Sequence, residues 1–499
     1  MANNPQSKAA KIVEKKAWIQ SPSYRHISTI LLVVLEFILI GFLYVSSYSI
    51  LLRAVTGVLS LVIIGMLLTN VNGLSGDYGI YIFGGSFGIN TIEKLSRCKK
   101  NLWLFFTEWG LVLSFGALSY FIFKGKISKK AFILGELAII FIILFIVPYF
   151  LLSFQLISIP NLPSSISSYS LSSASFQPSL LGILLIGLAV IGGFSFFIFF
   201  ELLFGAGLMI LDAASVILSV ASSSPNYAPL ATAVPGLAPV IPGITIPFFA
   251  GILALAVILI THEFSHGVIS RIYKIKIKKV GLVLLGVIPM GAFVEPDEKK
   301  VLTLDKYKQN GIFIAGIASN FLLTFIFFVL AFLFVSYIVP GITSNYIYIS
   351  AVSPNAPAYN VIPVGAIIQK WNNIPINNLT SLEAAASTDK PNSKVIVTTN
   401  YTTYSLIANS SGKIGVLISA ESATKPGIFS SILSFLYQFI ILSLVLNFLV
   451  ASINLLPLPF FDGWRIYKNI IKDDRTLKIL SIITILTFIL LALPWLFIL

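Results

Sequence analysis

Ten apolar runs of roughly membrane-spanning length occupy this 499-residue chain and constrain its fold more than any other feature. They lie at Ile27–Tyr48, Leu51–Leu68, Leu102–Phe123, Ala131–Phe154, Ser179–Phe200, Leu202–Val220, Ile246–Ile272, Ile312–Val339, Ile428–Ile453 and Leu477–Leu499. Backbone polar groups in lipid must be satisfied within the segment, so runs this long are expected as helices, and the chain as a polytopic α-helical membrane protein. A composition of 57% hydrophobic and 10% charged residues excludes a soluble multidomain protein. The net charge of +14 would suggest nucleic acid in a soluble chain. Here much of the Lys and Arg flanks apolar runs, as orientation signals do, so we assign it to topology and to anionic lipid headgroups and expect no nucleic-acid partner. The single cysteine, Cys98, excludes an intrachain disulfide and a cysteine-based zinc site.

Inside the run Ile246–Ile272 stands His262-Glu263-Phe264-Ser265-His266, an H-E-x-x-H set that uses two of the three histidines in the chain. Residues four apart lie one above the other on a helix face, so both imidazoles can grip one ion. Zn²⁺ held by two histidines and a carboxylate keeps a position open for water, and the adjacent Glu263 is placed to take a proton. Ionisable groups in a spanning segment are costly and by default mark function. The spacing therefore points to peptide-bond hydrolysis with Zn²⁺ as cofactor, His262 and His266 as ligands and Glu263 as the catalytic base.

Lysine and arginine bias orients the segments. Arg271, Lys274, Lys276, Lys278 and Lys279 follow the motif run directly, so its C-terminal end, and with it the active-site side, is expected to face the cytoplasm. The N-terminal stretch to residue 26 is polar and basic and reads as a cytoplasmic tail and not a removable signal. The next run carries the chain outward to Ile342–Thr424, which holds the sequons at Asn378, Asn400 and Asn409. In the N-terminal half, Lys94–Lys100 and Lys124–Lys130 are both basic although one apparent span separates them. A re-entrant segment, or entry of Tyr78–Ile89 into the membrane, would reconcile the two.

An H-E-x-x-H helix needs a third ligand, and Asn454-Leu-Leu-Pro457-Leu-Pro459-Phe-Phe-Asp462-Gly463 offers an acidic residue in unusual surroundings, because two prolines forbid regular helix there. With the histidine motif, this segment resembles the site-2 proteases, intramembrane zinc metalloproteases that cut membrane-spanning segments of regulatory proteins and carry N-x-x-P-x-P-x-x-D-G as a second signature. The resemblance implies Asp462 as the third zinc ligand, with Asn454, Pro457 and Pro459 positioning the substrate strand. Gly286-Val-Ile-Pro-Met-Gly291-Ala-Phe293-Val-Glu295 is similar to the family's re-entrant loop beside the metal, which implies substrate positioning by Gly291 and Phe293; a short cytoplasmic β-hairpin or a half-span is the alternative. Ala315-Gly316-Ile-Ala-Ser-Asn320 is similar to the family's A-G-x-x-x-N opening, a packing signature of small residues.

Strand-like stretches at Tyr346–Val352, Val364–Gln369 and Lys394–Thr399 mark a small β-rich domain. It resembles a PDZ-like domain, with Ala366 standing where an acidic residue is often found, and a steric gate against bulky substrate ectodomains is its expected role. The organisation expected is thus a basic tail (1–26), an N-terminal accessory transmembrane bundle (27–240), a zincin-like intramembrane metalloprotease core in two parts (245–340 and 426–499), and an extracytoplasmic PDZ-like domain between them (342–424). The expected partners are the lipid bilayer of the cell membrane and a membrane-spanning protein substrate; the sequence fixes no oligomeric state. Two other classes fit less well. A zincin of the prenyl-protein-protease type has no use for the proline-broken Asp462 segment, and a scaffold or transporter that kept a metal site would bind zinc without turnover.

Overall fold

The computed structural model describes residues 22–86, 88–148, 180–222, 240, 242–243, 245–424 and 428–492. Most of the expected basic tail lies outside these residues. The chain divides into two compact units, Met1–Val329 with Gln438–Leu499, and Leu330–Tyr437.

Among the described residues seven helices of the chain are long and apolar enough to cross a membrane, which makes this an integral membrane protein. The first unit begins with α1 (Pro22–Val45) and α2 (Ile50–Asn72). They are tied by a buried hydrogen bond in which Ser60 Oγ donates to Glu36 at 2.8 Å. Glu36 thus meets the interhelical partner that a carboxylate in lipid requires.

Two short strands follow, β1 (Gly76–Asp77) and β2 (Ile80–Gly85), and they join a sheet built about 200 residues later in sequence. That sheet runs β1-β2-β3-β4, all antiparallel, with β3 at Ile277–Leu285 and β4 at Ile288–Pro296. β2 pairs β3 from Ile80↔Leu285 to Gly85↔Val280. Tyr81 reinforces the join, its hydroxyl donating to the Gly286 carbonyl in the β3–β4 turn at 2.9 Å. On one face Gly84, Gly281 and Phe293 stand side by side across three strands. The Phe293 ring lies on the two glycines, covering backbone that has no side chain of its own. Within Tyr78–Ile89, the residues Ile80–Gly85 are therefore a strand buttressing the hairpin. With β3 covered by β2, the edge left unpaired at this end of the sheet among the described residues is β4.

The clash of basic segments resolves through α3 (Ile89–Arg97), α4 (Lys100–Phe115), α5 (Leu118–Ile122) and α6 (Lys129–Phe141). At 16 residues α4 is about 24 Å long, short of the ~30 Å hydrocarbon core. It stops at Gly116, and α5 turns back. Lys126 then pairs with Asp305 at 3.9 Å, and Tyr307 donates to the Lys126 carbonyl. Near the other basic cluster, Glu93 pairs with Arg271 at 2.9 Å. Arg271 ends α8 (Phe248–Ile272), and Asp305 precedes α10 (Lys306–Leu333). Both clusters thus reach the α8–α10 connection, so the run Leu102–Phe123 is a returning hairpin and not a span.

A second expectation is corrected as well. The runs Ser179–Phe200 and Leu202–Val220 do not meet at residue 201: the helical stretch Leu180–Ala221, labelled α7 here, is two helices joined across a kink at Gly193, with φ 67° and ψ −168°. Only glycine takes that conformation without strain.

The second unit carries a sheet in the order β10-β5-β6-β8-β9, with β7 on β6. The strands are β5 (Thr343–Val352), β6 (Ile367–Trp371), β7 (Ile374–Pro375), β8 (Lys394–Thr399), β9 (Thr403–Ile407) and β10 (Val416–Thr424). Its own core includes Ile347, Ile349, Ile368, Trp371, Leu382, Val395 and Val397. Asp389 holds the β6–β7 corner by accepting from Trp371 Nε1 at 2.9 Å and Asn372 Nδ2 at 2.7 Å. The sequon asparagines serve local structure: Asn378 caps the helix Leu379–Ala386, Asn400 accepts from Ile367 N–H, and Asn409 closes a turn onto Ser411 and Lys413.

Candidate metal centre

α8 places His262 and His266 on one face, with ring centroids 4.9 Å apart. The third group arrives from the far end of the chain. α13 (Ile428–Asn454) stops at Asn454, Pro457 and Pro459 prevent its continuation, and α14 (Asp462–Ile470) starts at Asp462. Gly463 makes the reversal possible, since a Cβ there would lie 2.6 Å from backbone atoms of Leu455. Ser481, on α15 (Asp474–Ala492), donates to the Pro457 carbonyl and holds the loop from the other side.

The result is convergence. Asp462 Oδ2 stands 3.0 Å from His262 Nε2 and 3.1 Å from His266 Nε2. Two ligands of one tetrahedral zinc ion sit about 3.3 Å apart, given Zn–N and Zn–O distances near 2 Å. The chemistry of the donors fits a cation as well. His266 Nδ1 lies 2.7 Å from the Ile312 carbonyl, which only accepts, so Nδ1 carries a hydrogen and, in the neutral imidazole that a metal requires, Nε2 presents its lone pair towards a carboxylate. Two lone pairs that close need a positive charge between them. The space exists too: an ideal Cβ on Gly316 would lie 2.4 Å from His266 Nε2 and 2.5 Å from His262 Nε2. His262, His266 and Asp462 are thus a group able to hold a metal ion.

Glu263 projects beside this group towards β4, and its Oε2 accepts from the Val294 N–H at 3.0 Å. Val294 is at the same time packed against α8, its Cγ1 being 3.1 Å from where a Cβ of Gly267 would stand. Gly291 lies three residues before Val294 on the same edge strand, opposite Val283. The Phe293 ring faces the glycines of β2 and β3, so its contact with the site is through backbone and strand placement. Asn454 donates its amide back to Val450 at 3.0 Å, while Pro459 is exposed, next to the fully exposed Phe460 with φ 77°. Two residues matter more than the sequence suggested. Gly316 backs the space between the imidazoles, and the buried Asn320 amide meets His262 Nδ1 at 3.1 Å. A polar residue inside an apolar helix was the available signal for Asn320.

The centre sits near one end of its helix. His266 precedes Arg271 by five residues, about 8 Å of helix rise. A membrane helix bundle with an H-E-x-x-H helix, a converging aspartate and a carboxylate beside them defines the class of membrane metalloproteases. Residues 250–493 match Peptidase family M50, the site-2 protease family, and this part of the chain belongs to that family. An uncharacterized protein of Methanocaldococcus jannaschii is 30% identical over 241 residues, which are 47% of this chain and 61% of that relative. The chain thus spans about three fifths of the length of the curated relative it matches.

Proposed function

We propose that this chain is a zinc-dependent intramembrane endopeptidase that hydrolyses peptide bonds within membrane-spanning segments of other proteins. The observation that carries the proposal is the convergence of His262, His266 and Asp462 beside Glu263 and the unpaired edge of β4. His262, His266 and Asp462 would hold the zinc ion, which would supply Lewis-acid activation of a water for attack on the peptide carbonyl. Glu263 is the general base and then returns its proton to the leaving amine. Its hydrogen bond from Val294 fixes the carboxylate relative to β4 and leaves Oε1 free of that contact.

A helix must unwind before one of its peptide bonds can be cut, and unwound backbone in lipid needs partners. β4 supplies them. In a regular antiparallel strand the N–H groups alternate sides, so Ala292 presents its backbone on the same outward edge as Val294, available for addition of a substrate strand. Asn454, Pro457 and Pro459 are proposed to help position the substrate strand, as the family resemblance implies. The basic clusters around the α8–α10 connection support a cytoplasmic placement for this end of the site. Ile342–Thr424, with its PDZ-like resemblance, is proposed to lie outside the membrane and to exclude bulky substrate ectodomains, and membrane-anchored regulatory proteins are the expected substrates.

The test is metal removal and return with a reporter carrying one spanning segment. Purified chain should cleave it, lose cleavage on chelation, and regain it with zinc, whereas Asp462→Asn should show no zinc-restored cleavage. Cleavage that persists after complete metal removal contradicts the proposal.

A further inference from the structure

Asn320 lies in α10, wholly buried, with its amide against the non-ligating face of His262. Its Nδ2 stands 3.1 Å from His262 Nδ1, while its Oδ1 is buried with no hydrogen-bond partner. A neutral imidazole has one N–H and one lone pair, so a histidine that offers Nε2 to a metal carries its hydrogen on Nδ1. An Nδ1–H cannot accept from an amide N–H. Oxygen and nitrogen of an amide differ by a half-turn about one bond, and their assignment follows the hydrogen-bond network. A half-turn brings the partnerless Oδ1 to Nδ1. His266 already has this arrangement, its Nδ1 donating to the Ile312 carbonyl.

We infer that Asn320 is a positioning residue for the metal centre: its side-chain oxygen accepts from His262 Nδ1–H, fixing the tautomer and ring orientation that aim Nε2 at the metal. This rests on the metalloprotease proposal and adds to it. Both imidazoles are then held from behind by α10, His266 through the Ile312 carbonyl and His262 through Asn320, two turns further along. Partners of this kind typically change metal affinity by about 10–100-fold when removed. The inference also separates two roles inside the A-G-x-x-x-N stretch. Gly316 leaves room for the ion, and Asn320 orients a ligand.

The experiment compares native full-length chain with Asn320→Leu and Asn320→Asp in detergent, measuring zinc affinity by chelator competition and the visible spectrum of the cobalt-loaded forms. Leucine keeps the volume and loses the acceptor; aspartate keeps the acceptor and loses the donor. Asn320→Leu should bind zinc about 10–100-fold more weakly and show an altered cobalt spectrum, while Asn320→Asp should stay within about threefold of native. Native-like affinity in Asn320→Leu overturns the inference. So does an equal loss in Asn320→Asp, which would assign Asn320 the donor's role, and that arm decides the matter by itself if the leucine variant does not fold. Native chain that binds no zinc would instead overturn the metalloprotease proposal itself.

Discussion

The Val294 backbone N–H donates to Glu263 Oε2 at 3.0 Å, which ties the carboxylate of the H-E-x-x-H helix to the free edge strand of the sheet. One contact therefore couples the proton-handling group to the surface on which an unwound substrate would lie. That surface is positioned from behind by β2, a strand from the N-terminal half.

The glycines beneath Phe293 test that buttress. A Cβ on Gly84 would stand 3.0 Å from the ring of Phe293 and 3.2 Å from the Val280 carbonyl. Gly84→Val should therefore displace β2 or the ring, lowering reporter cleavage while leaving zinc content unchanged, because no ligand lies on β2. Loss of zinc together with activity would show that the sheet supports the metal centre directly.

Gly316→Ala sets two effects against each other. Alanine has a higher intrinsic helix propensity than glycine by about 1 kcal/mol, so the backbone of α10 itself has no reason to unfold. Its methyl would nevertheless stand within 2.5 Å of both Nε2 atoms. The variant is expected to remain folded in detergent and to lose stoichiometric zinc, as measured by elemental analysis of the purified protein.

Glu93 offers a test by pH. Hydrogen bonds from Arg271 and Arg97, and the charge of Arg271, hold its carboxyl below the usual glutamate range. A carboxylate with a depressed folded-state pKa stabilises the fold above its unfolded value, and that contribution fades as pH falls through the folded one. Glu93→Gln should thus melt below native chain at neutral pH, and the two melting temperatures should converge in acid. A gap that stays constant with pH would mean that the ion pair with Arg271 contributes nothing.

In the second unit, Asp389 accepts from both Trp371 and Asn372. Asp389→Ala leaves a buried indole N–H without a partner and should destabilise this unit by about 2 kcal/mol, since hydrogen bonds to charged groups contribute roughly 1.5–3 kcal/mol. Hydrogen exchange in β6 would report it.

Much of the metal centre was legible in the sequence because its chemistry is local. His262, Glu263 and His266 fall within five residues, and Pro457, Pro459, Asp462 and Gly463 carry their own backbone constraints. Their convergence needed the resemblance as well, since no spacing rule links residues 262 and 462. The β2–β3 pairing was not legible: Ile80–Gly85 is a six-residue strand with two glycines, and its partner lies about 200 residues away. Apolar runs also conceal direction. Leu102–Phe123 is predominantly apolar, with Glu108 as its one charged residue, yet Gly116 turns it back, and hydropathy does not register φ. For the same reason the break in α7 fell at Gly193 and not between Phe200 and Leu202. Ala315–Asn320 read as small-residue packing because the imidazoles it faces are distant in sequence.

The most direct test of the central claim is cleavage of a single-span reporter in defined liposomes by native chain and by Glu263→Gln, with zinc measured on both and the cut located by mass spectrometry. Native protein should cut within the spanning segment. The variant should retain zinc and lose activity by about 10²–10⁴-fold, the usual contribution of a general base. Equal cleavage by the two proteins, or a native cut confined to residues outside the span, would contradict the account.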